Sequence, residues 1–188
     1  MKIAILGGRF DPPHTGHFLI AQQTLDFYTY IDKVVFVPVY KHAWSPIKAS
    51  AQDRISMLQS SLQSRMEVSD IEVSRKKISY TIDTIKAIKE TTSADIYWIV
   101  GSDILQEFNK WKNHDELVKI VKFIVFPRDP HVLPKKIPQG FEVIKSPKLL
   151  TTNFSSSIIR ERVKQGKSIK YLVPEAVEEY IYSHNLYE

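Results

Sequence analysis

A doubly wound, mostly parallel α/β sheet with helices on both faces is the fold class this 188-residue sequence predicts, and three observations predict it. Short apolar runs alternate along the chain with segments of helical spacing, the pattern of strand–helix–strand units. Several of the runs are apolar nearly throughout, as strands covered on both faces require. Two of them end in glycine, at Gly7 and Gly101, and in open sheets of this kind ligands bind beyond the carboxyl ends of the strands.

Taken in order, Lys2–Leu6 is a buried strand by length and by the Gly-Gly that follows it, and His17–Tyr28 carries apolar residues at helical spacing. Lys33–Val37 is the second strand, stopped by Pro38. Ala51–Leu62 is a helix whose buried side is Ile55, Met57, Leu58 and Leu62. Met66–Val73 alternates and reads as a strand. Thr81–Lys89 is a helix with Ile82, Ile85 and Ile88 along one face, and Asp95–Val100 is another buried strand. Asp115–Lys119 is a short helix, and Lys122–Phe126 a strand ended by Pro127. Residues 128–140, with three prolines and little periodicity, form an exposed loop before a short strand at Phe141–Ile144. Ser155–Gln165 is a helix stopped by Gly166, and Pro174–His184 a final helix with proline in its first turn. No repeat or low-complexity linker divides the chain. The expectation is a single domain over 1–188, with a small helical portion from about 155.

The composition narrows the class. There is no cysteine, hence neither a disulfide nor a thiolate metal site, which suits the cytoplasm. No stretch is long and apolar enough to span a bilayer, and the run before Gly7 is too short for a signal-peptide core. The net charge of +5 admits two readings: a nucleic-acid binder, or a scattered lysine-rich surface around a site for polyanionic small molecules. The lysines are dispersed, with no arginine-rich arm and no basic run interleaved with aromatics, and this favours the second. The expected partners are therefore small molecules, with no nucleic acid and no membrane; a homo-oligomer stays open.

The segment Gly7-Gly8-Arg9-Phe10-Asp11-Pro12-Pro13-His14-Thr15-Gly16-His17 concentrates the chemistry. Gly-Gly lets the backbone turn sharply and approach a ligand. His14 and His17, three apart at the start of a helix, can face the same side, where free N–H groups and the positive helix end converge. That suits a phosphate. The alternative is a strand–turn–helix junction with two unrelated histidines. A metal reading is weaker, since Asp11 is the only nearby carboxylate. The dinucleotide fingerprint Gly-x-Gly-x-x-Gly is absent, which removes the main support for a nicotinamide-dependent oxidoreductase. A second anion cradle is Phe154-Ser155-Ser156-Ser157-Ile158-Ile159-Arg160: serines capping a helix, with an arginine one turn in. Serine caps are also commonly just caps.

Gly-Gly-x-Phe-Asp-Pro-x-His-x-Gly-His resembles the opening motif of the nucleotidyltransferase superfamily, specifically of the nicotinate mononucleotide adenylyltransferases. The serine cluster resembles that family's Ile-Ser-Ser-Thr-x-Ile-Arg. Ser79-Tyr80-Thr81-Ile82-Asp83-Thr84 resembles its Ser-Tyr-Thr-x-Asp-Thr, Gly101-Ser102-Asp103 its Gly-x-Asp, and Ser168–Pro174 its closing segment. The resemblance spans essentially the whole chain and implies a Rossmann-like nucleotidyltransferase fold. It further implies that Gly7, Gly8, Arg9, Phe10, His14, His17, Gly101, Asp103, Ser155, Ser156 and Arg160 bind ATP, with His14, His17 and Arg160 stabilising charge in catalysis. Tyr80, Thr81, Trp111 and Arg128 are placed by it with the mononucleotide; a core position for Trp111 is nearly as good a reading. The family's Pro-Pro-His-Lys is missing from the Tyr40–Lys48 region, where Lys48, with Lys41 second to it, is the candidate catalytic cation and Trp44 a side chain that closes over a ligand or packs on the loop base. Arg9 replaces a small hydroxyl residue, and Lys77 the expected glycine.

The resemblance thus implies adenylyl transfer from ATP, accompanied by Mg2+ and without a protein metal cage, to nicotinate mononucleotide, giving deamido-NAD and pyrophosphate. The same chemistry on nicotinamide mononucleotide or another phosphorylated acceptor is the nearest alternative. A non-catalytic nucleic-acid-binding protein is a distant one. A tRNA-charging enzyme is disfavoured by length and by the lack of a lysine-serine motif.

Overall fold

A computed structural model describes residues 1–41, 46–128, 131 and 133–188. Six parallel strands form one sheet in the order β3-β2-β1-β4-β5-β6: β1 (Lys2–Gly8), β2 (Lys33–Pro38), β3 (Met66–Val68), β4 (Asp95–Gly101), β5 (Lys122–Phe126) and β6 (Phe141–Val143). Among the described residues the helices are α1 (Thr15–Phe27), α2 (Ala51–Gln59), α3 (Ile71–Arg75), α4 (Thr81–Thr91), α5 (Ile104–Glu107), α6 (His114–Ile120), α7 (Ser156–Lys164) and α8 (Glu175–Ser183), with a 3-10 turn at Phe108–Lys110. The parallel sheet with both faces covered is as the apolar runs predict.

Both faces are covered because successive strand residues point to opposite sides and both sets are apolar. Ile3, Ile5, Trp98, Val100, Phe123 and Val125 pack with Ile82 and Ile85 of α4 and Leu117 of α6. Ala4, Leu6, Phe36, Ile99 and Ile124 pack with Ala21 and Leu25 of α1 and Leu58 of α2. A third cluster joins Met57 of α2 to Ile159 and Val163 of α7 and to Val177 and Ile181 of α8. Through it the last two helices sit beside α2. The strand order reverses direction between β1 and β4, which opens a crevice at their carboxyl ends.

One element differs from the sequence expectation. Met66–Val73 is not one strand: pairing with β2 stops at Val68, and residues 71–75 turn into α3. The Ser69 N–H still reaches Phe36 O at 2.9 Å, but Ser69 Oγ then accepts the Ile71 N–H at 3.4 Å, and the Ser74 N–H donates to Asp70 O at 2.8 Å. These local bonds start a helical turn. The alternation of Ile71 and Val73 is misleading, because the buried residue between them is Glu72. The region around α5 and the 3-10 turn has too few residues per element to display a period.

Candidate active site

The turn after β1 is held from outside. Arg54 Nη1 donates to Arg9 O at 2.8 Å, Arg160 Nη1 to Asp11 O at 2.6 Å, and Ser156 Oγ to Pro12 O at 2.8 Å. Phe10 takes a left-handed φ of 50° and buries its ring against Phe36 and edge-on to His17, 4.9 Å between centroids. Asp11, 2% exposed, spends its carboxylate on structure: Oδ2 accepts the Lys48 N–H at 2.8 Å, and Oδ1 accepts the Ala49 N–H at 3.0 Å and the Tyr187 hydroxyl at 2.9 Å. Three protein donors thus hold the Asp11 carboxylate.

His14 is the N-cap of α1 and His17 lies in its first turn. Their rings stack with centroids 3.7 Å apart, and the His14 N–H donates to His17 Nδ1 at 3.1 Å. With Nδ1 an acceptor, neutral His17 carries its proton on Nε2. Burial, helped by the Arg128 guanidinium, lowers His14 to about 4. Burial, His14 and Arg128 hold His17 well below the ordinary imidazole value. Both rings are therefore neutral at pH 7 without a bound anion, and an arriving polyanion shifts both toward protonation.

A cleft of about 790 Å³ opens at the carboxyl ends of the central strands. The turn after β1 contributes Gly7, Gly8, Arg9, His14 and His17. Gly101 and Asp103 enter from the end of β4, and Arg128 from the end of β5. Tyr80, Thr81 and Trp111 line it as well. Gly7 is required by close approach, since a Cβ there would stand 2.6 Å from Cζ2 of the buried Trp98 indole, whereas one on Gly101 would meet the tip of the Asp103 side chain, Oδ1 at 2.3 Å. Arg128 Nη1 lies 3.9 Å from Asp103 Oδ2, and the Arg128 N–H donates to the buried Ser102 Oγ at 2.9 Å. Trp111 packs half-buried against Phe108 and Phe123 and also lines the cleft.

Phe10, Lys48, Ser155, Ser156 and Arg160 are not among the described residues that line the cleft. Phe10 lies beneath His17. Ser155 caps α7, its Oγ accepting the Ile158 N–H at 3.3 Å. Ser156 and Arg160 brace the turn before His14, Arg160 with Nη2 also on Ser157 Oγ at 3.2 Å. Lys48 has an exposed side chain and engages Asp11 through its backbone. Lys41 is exposed too, and bridges to Ile78. Trp44 lies outside the described residues.

Sequence reasoning missed Glu72, Arg54 and Tyr187. Glu72 lines the cleft at 3% exposure. The Thr84 hydroxyl donates to its Oε1 at 2.5 Å, Arg75 Nη2 donates to that same hydroxyl at 2.7 Å, and Oε2 lacks a partner among the described residues. Burial raises its carboxyl above the usual range, against the hydroxyls of Ser79 and Thr84 and the charge of Arg75. A buried glutamate inside an apolar alternation was the available signal. Nothing local marks Arg54 or Tyr187. Among the described residues no three His, Cys, Asp or Glu side chains form a group that could hold a metal ion, and no helix is long and apolar enough to cross a membrane.

Known proteins resemble the chain over its whole length. The family model described as Cytidylyltransferase-like matches residues 5–162. A protein of Shouchella clausii named "Probable nicotinate-nucleotide adenylyltransferase" is 40% identical, over 99% of this chain and 96% of that protein. One of Halalkalibacterium halodurans with the same name is 37% identical, over 100% of this chain and 91% of that protein. Among solved structures, nicotinic acid mononucleotide adenylyltransferase of Plasmodium falciparum complexed with NaAD superposes with a TM-score of 0.86 at 24% identity, over 99% of this chain and 97% of that one. This structural likeness shows the shared fold.

Proposed function

The chain belongs to the nicotinate-nucleotide adenylyltransferase family, and from that premise we propose that it joins nicotinate mononucleotide to the AMP moiety of ATP, releasing pyrophosphate and forming the deamido dinucleotide. The observation that carries the reading is the presence of His14 and His17, stacked and neutral, in the same cleft as Tyr80, Thr81 and Trp111.

In this proposal a phosphate oxygen of the mononucleotide attacks the α-phosphorus of ATP in line. A new P–O bond forms as the bond to the α–β bridging oxygen breaks, and its electron pair departs with pyrophosphate. The nucleophile is already an anion, so no general base is needed. Catalysis is alignment plus positive charge where negative charge develops. His14 and His17 meet the triphosphate, His17 through Nε2–H. Gly7, Gly8 and Arg9 let the phosphates approach the backbone, Asp103 takes the ATP ribose, and Arg160 adds a fixed cation from the start of α7. Tyr80, Thr81 and Trp111 receive the mononucleotide, with Arg128 beside them.

Mg2+ enters with ATP. It would be held largely by the nucleotide and water, where it would supply positive charge to the phosphates. The lack of cysteine, and of a long apolar helix among the described residues, fits work in the cytoplasm. The test is pyrophosphate release from ATP and Mg2+ with nicotinate mononucleotide, nicotinamide mononucleotide or pantetheine phosphate as acceptor. The proposal expects the nicotinate compound to give the highest kcat/KM; no release with either pyridine nucleotide overturns it.

A further inference from the structure

Asp11 is approached by two residues from the last part of the chain, Tyr187 at Oδ1 and Arg160 on the side of Oδ2. Its carboxylate is 2% exposed, so solvent does not complete its hydrogen bonding. Ala49 N–H and the Tyr187 hydroxyl serve Oδ1, and Lys48 N–H serves Oδ2. Arg160 Nη1 stands 4.0 Å from Oδ2, beyond hydrogen-bond reach, and donates instead to the Asp11 main-chain oxygen at 2.6 Å. The anion nearest Arg160 is therefore satisfied without it, and part of the guanidinium fork is left over.

We propose that Tyr187 is a positioning residue for the ATP half of the site: by completing the shell of Asp11, its hydroxyl keeps that carboxylate from drawing Arg160 into a full ion pair and so leaves the guanidinium for phosphate. This rests on the reading above that Arg160 meets ATP. Burial and the charge of Asp11 hold the Tyr187 phenol far above its ordinary value, so the proton stays on and the hydroxyl donates across the working pH range.

The competing arrangement is easy to name. Without the hydroxyl, a buried carboxylate oxygen loses a donor, and an unmet acceptor in such a place is costly. Arg160 is the cation poised to replace it, since arginine–carboxylate pairs favour a two-point fit. Arg54, the other cation near Asp11, is 1% exposed and donates through Nη1 to Arg9 O at 2.8 Å, while its buried Nε lacks a partner among the described residues and makes it the second candidate for the vacated oxygen. The Tyr187 ring packs on the cluster formed by α2, α7 and α8, so Tyr187→Phe removes the hydroxyl while the ring contacts persist.

The experiment is steady-state kinetics of Tyr187→Phe, Arg160→Lys and the double variant, with thermal melts of each. Tyr187→Phe is expected to raise KM for ATP about tenfold while KM for the mononucleotide stays within about twofold. In the double variant the two effects are expected to be less than additive, because both act through one guanidinium. If Arg160→Lys leaves KM for ATP unchanged, the assignment of Arg160 to ATP fails. If Arg160→Lys raises it and Tyr187→Phe does not, the inference fails alone. Equal rises in both KM values with a lowered melting temperature, or full additivity, also overturn it. Should Tyr187→Phe melt early, ATP binding measured in the cold makes the same comparison.

Discussion

The imidazoles of His14 and His17 lie stacked, 3.7 Å between ring centroids, and are locked together by the His14 N–H on His17 Nδ1 at 3.1 Å. Two cations do not sit so close and half-buried without an anion beside them. The pair is therefore neutral when empty and takes up charge when phosphate arrives. Its geometry leads to the first two predictions.

The ligand-free protein loses stability as pH falls. An unfolded histidine binds its proton near pH 6.5, while His14 in the fold does so only at about 4. Between these values the unfolded chain holds more protons, so acid favours unfolding. The urea midpoint is expected to drop from pH 7 to pH 5, to drop less in His14→Asn, and to drop less with saturating ATP. A midpoint that rises toward pH 5 by an equal amount in both proteins contradicts the lowered value.

Turnover depends on His17 far more than folding does. His17→Ala is expected to lower kcat on the order of 100-fold, as loss of one preorganised charge-stabilising group does. Its melting temperature should change little by comparison. Near-normal turnover removes His17 from the mechanism.

Gly7 is fixed by Trp98. A Cβ there would lie 2.6 Å from Cζ2 of an indole that is 4% exposed and walled in by the core. Gly7→Ala should cost about 1–3 kcal/mol of unfolding free energy, the usual range for overpacking. Urea unfolding measures it, and a change within about 0.5 kcal/mol shows that the indole gives way.

Trp111 separates packing from binding. Trp111→Ala should lose about 3 kcal/mol of stability, by analogy with other large core truncations, and raise KM for the mononucleotide. Trp111→Phe keeps most of the contact with Phe108 and Phe123, so stability recovers further than KM does if the indole meets the substrate. Parallel recovery of both leaves Trp111 a core residue only.

Glu72 reverses the sign of the histidine effect. Its carboxyl is raised by burial, so the folded state holds that proton to higher pH than the unfolded state, and its contribution weakens as pH climbs through the raised value. Glu72→Gln keeps the hydrogen-bonding shape without the ionisation. The variant should gain in melting temperature relative to the parent from pH 5 to pH 8; a loss over that span contradicts the raised value.

What the sequence reveals and what it conceals follow the range of the interactions. Lys2–Leu6, Lys33–Val37 and Lys122–Phe126 are legible because a short apolar run bounded by glycine or proline has few alternatives in a parallel sheet. Ile71–Arg75 is not, because five residues cannot display a helical period and Ile71 and Val73 happen to alternate. His14 and His17 declare themselves by spacing, since three residues at a helix start fix their relation. The bond from Tyr187 to Asp11 joins positions 176 apart, and that from Arg54 to Arg9 joins positions 45 apart. Such pairs exist only once α2, α7 and α8 have packed, and no local pattern announces them. The serines before Arg160 show the intermediate case: their capping role is local and readable, whereas the reach of Ser156 to Pro12 O is not.

The claim that a phosphate oxygen of the mononucleotide is the nucleophile and the α-phosphorus of ATP the centre it attacks is tested by heavy-oxygen labelling of that phosphate, followed by mass analysis of both products. The account predicts that the label stays entirely in the deamido dinucleotide, with one labelled oxygen bridging its two phosphorus atoms, and that none appears in pyrophosphate. Label in the pyrophosphate, or formation of no dinucleotide from ATP and nicotinate mononucleotide, would contradict it.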